Sequence, residues 1–230
     1  MEKIALLHTV QSVYKTFGNQ LLEALAPKEL MISNTLDEFL STDANRREEF
    51  TKENTRRLLF LLQSKDLEGA DLIITTCSTL TPTVEQVRPF LHTPVVAIDD
   101  AMMAQAVKKG SRVLIFATAG SAMGPARQKL LLEAAKAGKE LVIEEMLCTD
   151  AFHALQAGEQ EQHDQLLRNA ARIIIDHAVD VVVLAQASMA HLQQDIQQIS
   201  GCPTLSSPRP CFEQVRLLLY GKEDNHAHNQ

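Results

Sequence analysis

Residues 70–82 read ADLIITTCSTLTP, and residues 179–192 read VDVVVLAQASMAHL. Each passes from an acid through a short run of Val, Ile and Leu and opens onto small polar residues, the pattern of a buried strand that ends in a turn. Laid together, Asp71 falls on Asp180 and Cys77 on Gln186, 109 positions apart. The same spacing joins Lys3-Ile4-Ala5-Leu6-Leu7 to Arg112-Val113-Leu114-Ile115-Phe116, Leu21-Leu22 to Leu130-Leu131, and Pro94 to Pro203. One ungapped offset that links strand to strand and loop to loop reads as an internal duplication.

Strand-like runs alternate with helical ones along the first copy: KIALLH, QLLEAL, ELMIS, RRLLFLLQ, DLIITT, VEQVRPFL and PVVAI. That order predicts parallel strands joined by crossover helices. The fold class is therefore α/β, with two pseudo-symmetric lobes, each a parallel sheet of about four strands flanked by helices. We assign residues 1–98 plus 208–230 to the first lobe, which takes the C-terminal helix, and residues 99–207 to the second. Ligands in such sheets sit beyond the carboxyl ends of the strands, so two facing units can enclose one active site between the lobes.

The bulk composition narrows the function classes. Of 230 residues, 45% are hydrophobic and 22% charged, as in ordinary globular proteins. The net charge of −7 and the lack of a dense Lys/Arg cluster argue against nucleic acid as a partner. No Trp and only 4% aromatic residues argue against a stacking platform. No apolar run has the length of a membrane span, and MEKIALLH lacks the pattern of a secretion signal, so the expectation is a cytoplasmic protein with no membrane partner. Cys77, Cys148, Cys202 and Cys211 show neither C-x-x-C pairing nor zinc spacing; no metal site and no disulfide are expected. The tail GKEDNHAHNQ reads as a solvated end, and AGEQEQHDQ as a solvated helix start.

The strand ends carry His8-Thr9, Cys77-Ser78-Thr79, Asp99-Asp100, Thr118-Ala119-Gly120-Ser121, Gln186-Ala187-Ser188 and Ser206-Ser207. Small hydroxyl residues beside helix N-termini suit a carboxylate or another small anion. Pro82 and Pro125 are expected to mark helix starts. No G-x-G-x-x-G follows the first strand and no P-loop motif occurs, which removes the nucleotide signatures of this fold class. Cys77, between LIITT and a helix start, is the candidate reactive thiol. Cys148 and Cys202 read as packing or turn residues, and Cys211, at the start of the last helix, ranks below Cys77 for the site. His8 is the histidine of interest, whereas His153, His163 and His177 fall in helical stretches expected to be exposed.

These segments, together with PVVAIDDAM and RVLIFATAGSAMGPARQKLL, resemble the aspartate/glutamate/hydantoin racemase superfamily over nearly the whole chain. The resemblance implies two pseudo-symmetric lobes around one site, no cofactor, and two cysteines, one per lobe, that work as acid and base on opposite faces of a carbon next to a carboxylate. Cys77 looks like the first; the second is expected at position 186, which is Gln186. His8-Thr9 stand where glutamate racemases resemble Asp-Ser. An amide can orient an oxyanion but cannot shuttle a proton near neutrality.

The expected function is a cofactor-independent racemase- or isomerase-type enzyme acting on a small carboxylate-bearing substrate. Cys77 is its single thiol, Gln186 replaces the second, and His8 is the candidate second base. Thr9, Ser78 and Thr79 in one lobe, and Thr118, Ala119, Ser121, Ala187 and Ser188 in the other, are the expected substrate-binding residues. A decarboxylase of malonate-type acids, which needs one proton donor, and a carboxylate-binding protein without turnover are the alternatives. A homo-oligomer is compatible with the sequence.

Overall fold

The computed structural model describes residues 1–221. The chain runs β1 (Glu2–His8), α1 (Gln11–Leu25), β2 (Leu30–Leu36), α2 (Glu38–Arg47), α3 (Lys52–Leu67), β3 (Leu72–Thr75), α4 (Thr81–Val87), β4 (Val95–Ala97) and α5 (Asp100–Lys109). It continues with β5 (Arg112–Ala117), α6 (Gly120–Ala137), β6 (Val142–Leu147), α7 (Thr149–Gln156), α8 (Gln160–Ala171), β7 (Val181–Leu184), α9 (Gln193–Ser200), β8 (Thr204–Ser206) and α10 (Pro208–Tyr220). The strands form two four-stranded sheets, ordered β2-β1-β3-β4 and β6-β5-β7-β8, and every recorded pair is parallel.

The duplication is visible bond by bond. Asp71 N–H donates to the Lys3 carbonyl at 2.8 Å, and Asp180 N–H donates to Arg112 at 2.8 Å. Ile73 N–H meets the Pro94 carbonyl at 2.9 Å, and Val182 N–H meets Pro203 at 2.8 Å. The offset is not ungapped throughout, however. Lys3 pairs with Met31 on β2 while Arg112 pairs with Val142 on β6, so the edge strands lie 111 positions apart before the central strands return to 109. The second copy has two more residues ahead of its edge strand and two fewer behind it, where a connection length can change without disturbing the buried centre.

Each sheet buries both faces, because alternate residues of a strand point opposite ways. Ile4 and Leu6 join one core cluster with Leu21, Leu72 and Ile74; Ala5 and Leu7 join another on the far face with Leu58, Leu62 and Ile73. The second sheet repeats this, with Val113 and Ile115 on one side and Leu114 and Phe116 on the other. The helices that follow the last strand of each sheet are exchanged. Met102, Met103, Ala106 and Val107 of α5, which leaves β4 of the first sheet, pack into the core of the second. Cys211 and Val215 of α10, which leaves β8 of the second sheet, pack into the core of the first.

Gly110, between α5 and β5, shows why a glycine is needed there: a Cβ would lie 2.2 Å from the Cβ of Asp180. That approach lets the Asp180 carboxylate accept the N–H groups of Ser111 (2.8 Å) and Arg112 (2.9 Å). Pro82 lies at the start of α4, as expected. Pro125 lies inside α6 instead, because that helix begins at Gly120, the counterpart of Gln11 that begins α1. Among the described residues no helix is long and apolar enough to cross a membrane. Most of the tail GKEDNHAHNQ, with His226 and His228, lies outside the described residues.

Candidate active site

The carboxyl ends of the two sheets face a cavity of about 390 Å³ between the lobes, and Cys77 and Gln186 both line it. The two residues have matching backbones: Cys77 at φ −134°, ψ 120° and Gln186 at φ −131°, ψ 135°. Each leads into a 3-10 turn, closed by Leu80 N–H to the Cys77 carbonyl (3.1 Å) and by Met189 N–H to the Gln186 carbonyl (3.0 Å). One turn thus presents a half-buried thiol, and its copy presents an amide, to the same space.

Two longer helices aim their N-termini at this space. α1 is lined up through Val10, Gln11 and Ser12, and α6 through Ala119 and Ser121. Neither has a side-chain cap or an acid in its first turn, so their first N–H groups keep partial positive charge for an anion. In the second lobe that capacity is already used beside the helix start. The Gln186 Oε1 accepts from Thr118 N–H at 2.6 Å, from Thr118 Oγ1 at 3.0 Å and from Ala119 N–H at 3.1 Å. Two backbone donors fix the amide orientation, leaving Nε2 as the end that can donate to a ligand.

The other expected site residues divide in three. Thr9, Thr79, Ala119, Ala187 and Ser188 line the cavity; Thr9 Oγ1 is buried with no hydrogen-bond partner among the described residues. Ser78 and Ser121 also line it, but each is engaged across the lobes: Ser78 Oγ donates to the Ala185 carbonyl at 3.0 Å, and Ser121 Oγ to Asn45 Oδ1 at 2.5 Å. Thr118 and His8 are not part of the wall. Thr118 is fully buried and holds Gln186 rather than facing a ligand. His8 is fully buried as well, with Nδ1 bonded to Thr76 Oγ1 (2.8 Å) and Nε2 to Asn34 Oδ1 (3.0 Å). Burial holds its pKa below the ordinary histidine value against the Asn34 hydrogen bond. The structure thus places His8 behind the cavity wall with both ring nitrogens hydrogen-bonded, away from the position expected of a second base.

The remaining histidines and cysteines lie elsewhere. His153 is exposed, as expected, but His163 is fully buried with Nδ1 on the Ala151 carbonyl at 2.8 Å. The helix α8 turns it inward, so only the outer face of AGEQEQHDQ is solvated. His177 is half-buried against Glu144 (2.6 Å). Cys148 packs at the edge of the second core, and Cys202 is buried with Sγ 3.5 Å from the Val179 carbonyl. Cys211 is fully buried; burial, with Asp100 and Asp99 nearby, pushes its thiol far up. Among the described residues no group of His, Cys, Asp and Glu has metal-binding geometry.

Several wall residues carried no sequence signal. Phe152, Leu155 and Gln156 form one face of α7, and Glu38, Ser41, Thr42 and Asn45 one face of α2. At i, i+3, i+4 spacing, the α7 face reads the same as a core stripe and the polar α2 face the same as a solvated one.

Fold and cleft define a two-lobed α/β protein with one thiol facing one amide at the lobe boundary. The chain belongs to the Asp/Glu/Hydantoin racemase family, whose model matches residues 7–214. Solved structures share the fold. A glutamate racemase from Bacillus anthracis has TM-score 0.73 at 14% identity, covering 96% of this chain and 82% of that one. An aspartate racemase from Picrophilus torridus has TM-score 0.68 at 11% identity, covering 94% and 93%. An allantoin racemase from Klebsiella pneumoniae has TM-score 0.64 at 17% identity, covering 96% and 89%. No curated protein matches the sequence.

Proposed function

We propose that the protein is a cofactor-independent enzyme that transfers a proton at the carbon next to a carboxylate of a small acid, on one face only. Cys77 is the proton-transferring group. The observation that carries this reading is the pairing of Cys77 with an amide at the equivalent position: among the described residues, the only ionisable side chains on the wall are Cys77 and Glu38, and Glu38 is exposed at the rim. Family membership supports chemistry beside a carboxylate.

The α1 N-terminus and the hydroxyls of Thr79 and Ser188, all on the cavity wall, are the donors proposed to receive the carboxylate. Removing a proton beside a carboxylate, or losing CO₂ from a malonate-type acid, puts negative charge on those carboxylate oxygens, and preorganised donors lower that barrier. Gln186 Nε2 adds one such donor while its Oε1 stays tied to Thr118 and Ala119. The Cys77 thiolate then takes the proton, or its thiol returns one to the enediolate carbon.

With His8 behind the wall, the other ionisable wall group among the described residues is Glu38, exposed at the rim, and this favours one-proton reactions (isomerisation, decarboxylation or exchange with retention) over racemisation. The missing thiol also favours a second reading, a carboxylate-binding protein without turnover. Incubation in deuterated water with amino acids, hydantoins, malonates and maleate separates the two. Cys77-dependent deuterium incorporation, CO₂ release or double-bond isomerisation supports the enzyme, and binding with none of these supports the binder.

A further inference from the structure

Part of the cavity wall is apolar. Phe152 and Leu155 project from one face of α7, while Val10 and Val13 enter from α1 and Ala122 from α6. Val10 keeps 37% of its surface exposed although a valine gains by burial. Among the described residues, no Lys, Arg or His lines the cavity, and its one lining carboxylate is Glu38. A second carboxylate on a ligand would thus meet no cation here and would add to the repulsion of a protein of net charge −7. An α-ammonium would find one exposed, solvent-screened partner at most.

We infer that the substrate is a monocarboxylate whose reacting carbon carries an uncharged apolar group of phenyl or branched-alkyl size, seated against Phe152, Leu155 and Val13. The inference rests on the proton-transfer reading of this cleft for its choice of substrate but not for its test. A cavity of about 390 Å³ accommodates a carboxylate with such a group. The seat works by shape and area, so it discriminates by size and charge rather than by directed hydrogen bonds.

The test is equilibrium binding, by calorimetry or saturation-transfer NMR, of phenylacetate, 3-methylbutanoate, acetate and both enantiomers of glutamate to the full chain and to its Cys77→Ala variant. Phenylacetate is expected to bind at least about tenfold tighter than acetate or glutamate to both proteins. Phe152→Ala should remove most of that margin and Phe152→Leu should keep most of it. Glutamate binding as tightly as phenylacetate, no measurable phenylacetate binding, or a phenylacetate-to-acetate ratio unchanged by Phe152→Ala overturns the inference. The two readings fail separately. Apolar preference without any Cys77-dependent exchange refutes the enzyme and leaves the seat standing, and Cys77-dependent exchange on glutamate in preference to phenylacetate does the reverse.

Discussion

The amide oxygen of Gln186 sits 2.6 Å from the backbone N–H of Thr118, at the point where the duplicated loop ends. The equivalent residues of the first lobe are Cys77 and Thr9, and there the Thr9 hydroxyl has no partner. The second lobe therefore supplies an internal acceptor for its donors, and the first lobe has no such acceptor on the Thr9 hydroxyl among the described residues. The asymmetry of the site extends beyond the lost thiol to the loops behind it.

Removing that internal ligand should be costly. Gln186→Ala leaves two backbone donors at the Thr118–Ala119 turn without their acceptor, and the expected loss of stability is about 1–3 kcal/mol. Acetate added at high concentration should restore part of it, because a carboxylate can take the vacated position. Denaturant unfolding with and without acetate reads both effects, and equal acetate dependence in parent and variant would count against the role assigned to Gln186.

Restoring symmetry should change stereochemistry. Gln186→Cys puts a second titratable group on the opposite wall, so isotope exchange confined to one face in the parent should occur on both in the variant. Cys77→Ala should abolish exchange in either background with little effect on the fold, since the thiol is half-buried at a cavity edge. Enantiomer-resolved deuterium incorporation is the measurement. Exchange that survives Cys77→Ala would falsify the assignment of Cys77.

A buried cation helps to join the lobes. Lys129 of α6 lies 2.6 Å from Asp100 and 3.0 Å from Glu133 and also binds Glu85 of α4; its side chain is 2% exposed. Burial works against its charge, but Asp100, Glu85 and Glu133 outweigh it and hold the ammonium above the usual lysine range. Lys129→Met removes their shared partner but leaves Arg88 on Asp100 and Glu85 and Lys136 on Glu133, and should destabilise by about 1.5–3 kcal/mol. A loss below 1 kcal/mol in chemical unfolding would mean that the cluster hydrates freely without its lysine.

Asp99 gives the protein an unusual pH dependence. Complete burial, then repulsion from Asp100, raises its carboxyl to about 7, against the Thr81 hydroxyl hydrogen bond of 2.7 Å and the attraction of Lys129. Between about pH 4 and 7 the unfolded chain has lost this proton and the native one retains it. Its contribution to stability is thus full below pH 4 and falls as pH rises, by up to roughly 1.4 kcal/mol per unit, until it levels above 7. Asp99→Asn keeps an acceptor for Thr81 and cannot ionise. Expected are near-parent stability at pH 4 and a gain of a few kcal/mol at pH 8, read from urea midpoints at both values.

What could be read from the sequence is what repeats. Ile4 and Val113, and Leu21 and Leu130, share an offset because the same buried positions recur in both sheets, and the exposed Asp71 and Asp180 share it because each directly precedes the equivalent strand; with them come the fold and the positions of Cys77 and Gln186. Side-chain direction at a strand end was not legible. Thr118 and Thr9 are indistinguishable as letters, yet one turns to Gln186 and the other lines the cleft. His8 likewise turns to Thr76 and Asn34. Phe152 and Lys129 were missed for a different reason: their partners come from distant parts of the chain, and no local pattern records such a meeting.

The exchange of α5 and α10 between the sheets bears on how the site arose. Met102 and Ala106 have their counterparts 109 positions later, at Cys211 and Val215, so even the exchanged helices obey the duplication. A half-length ancestor with this sequence pattern would have buried its last helix on a second molecule, as a two-fold dimer in which each chain completed the other's core. Such a dimer must carry the same residue on both walls of the cleft. Duplication lifts that constraint, because the two copies can then mutate independently. A thiol opposite an amide is a pairing that two identical half-chains cannot encode.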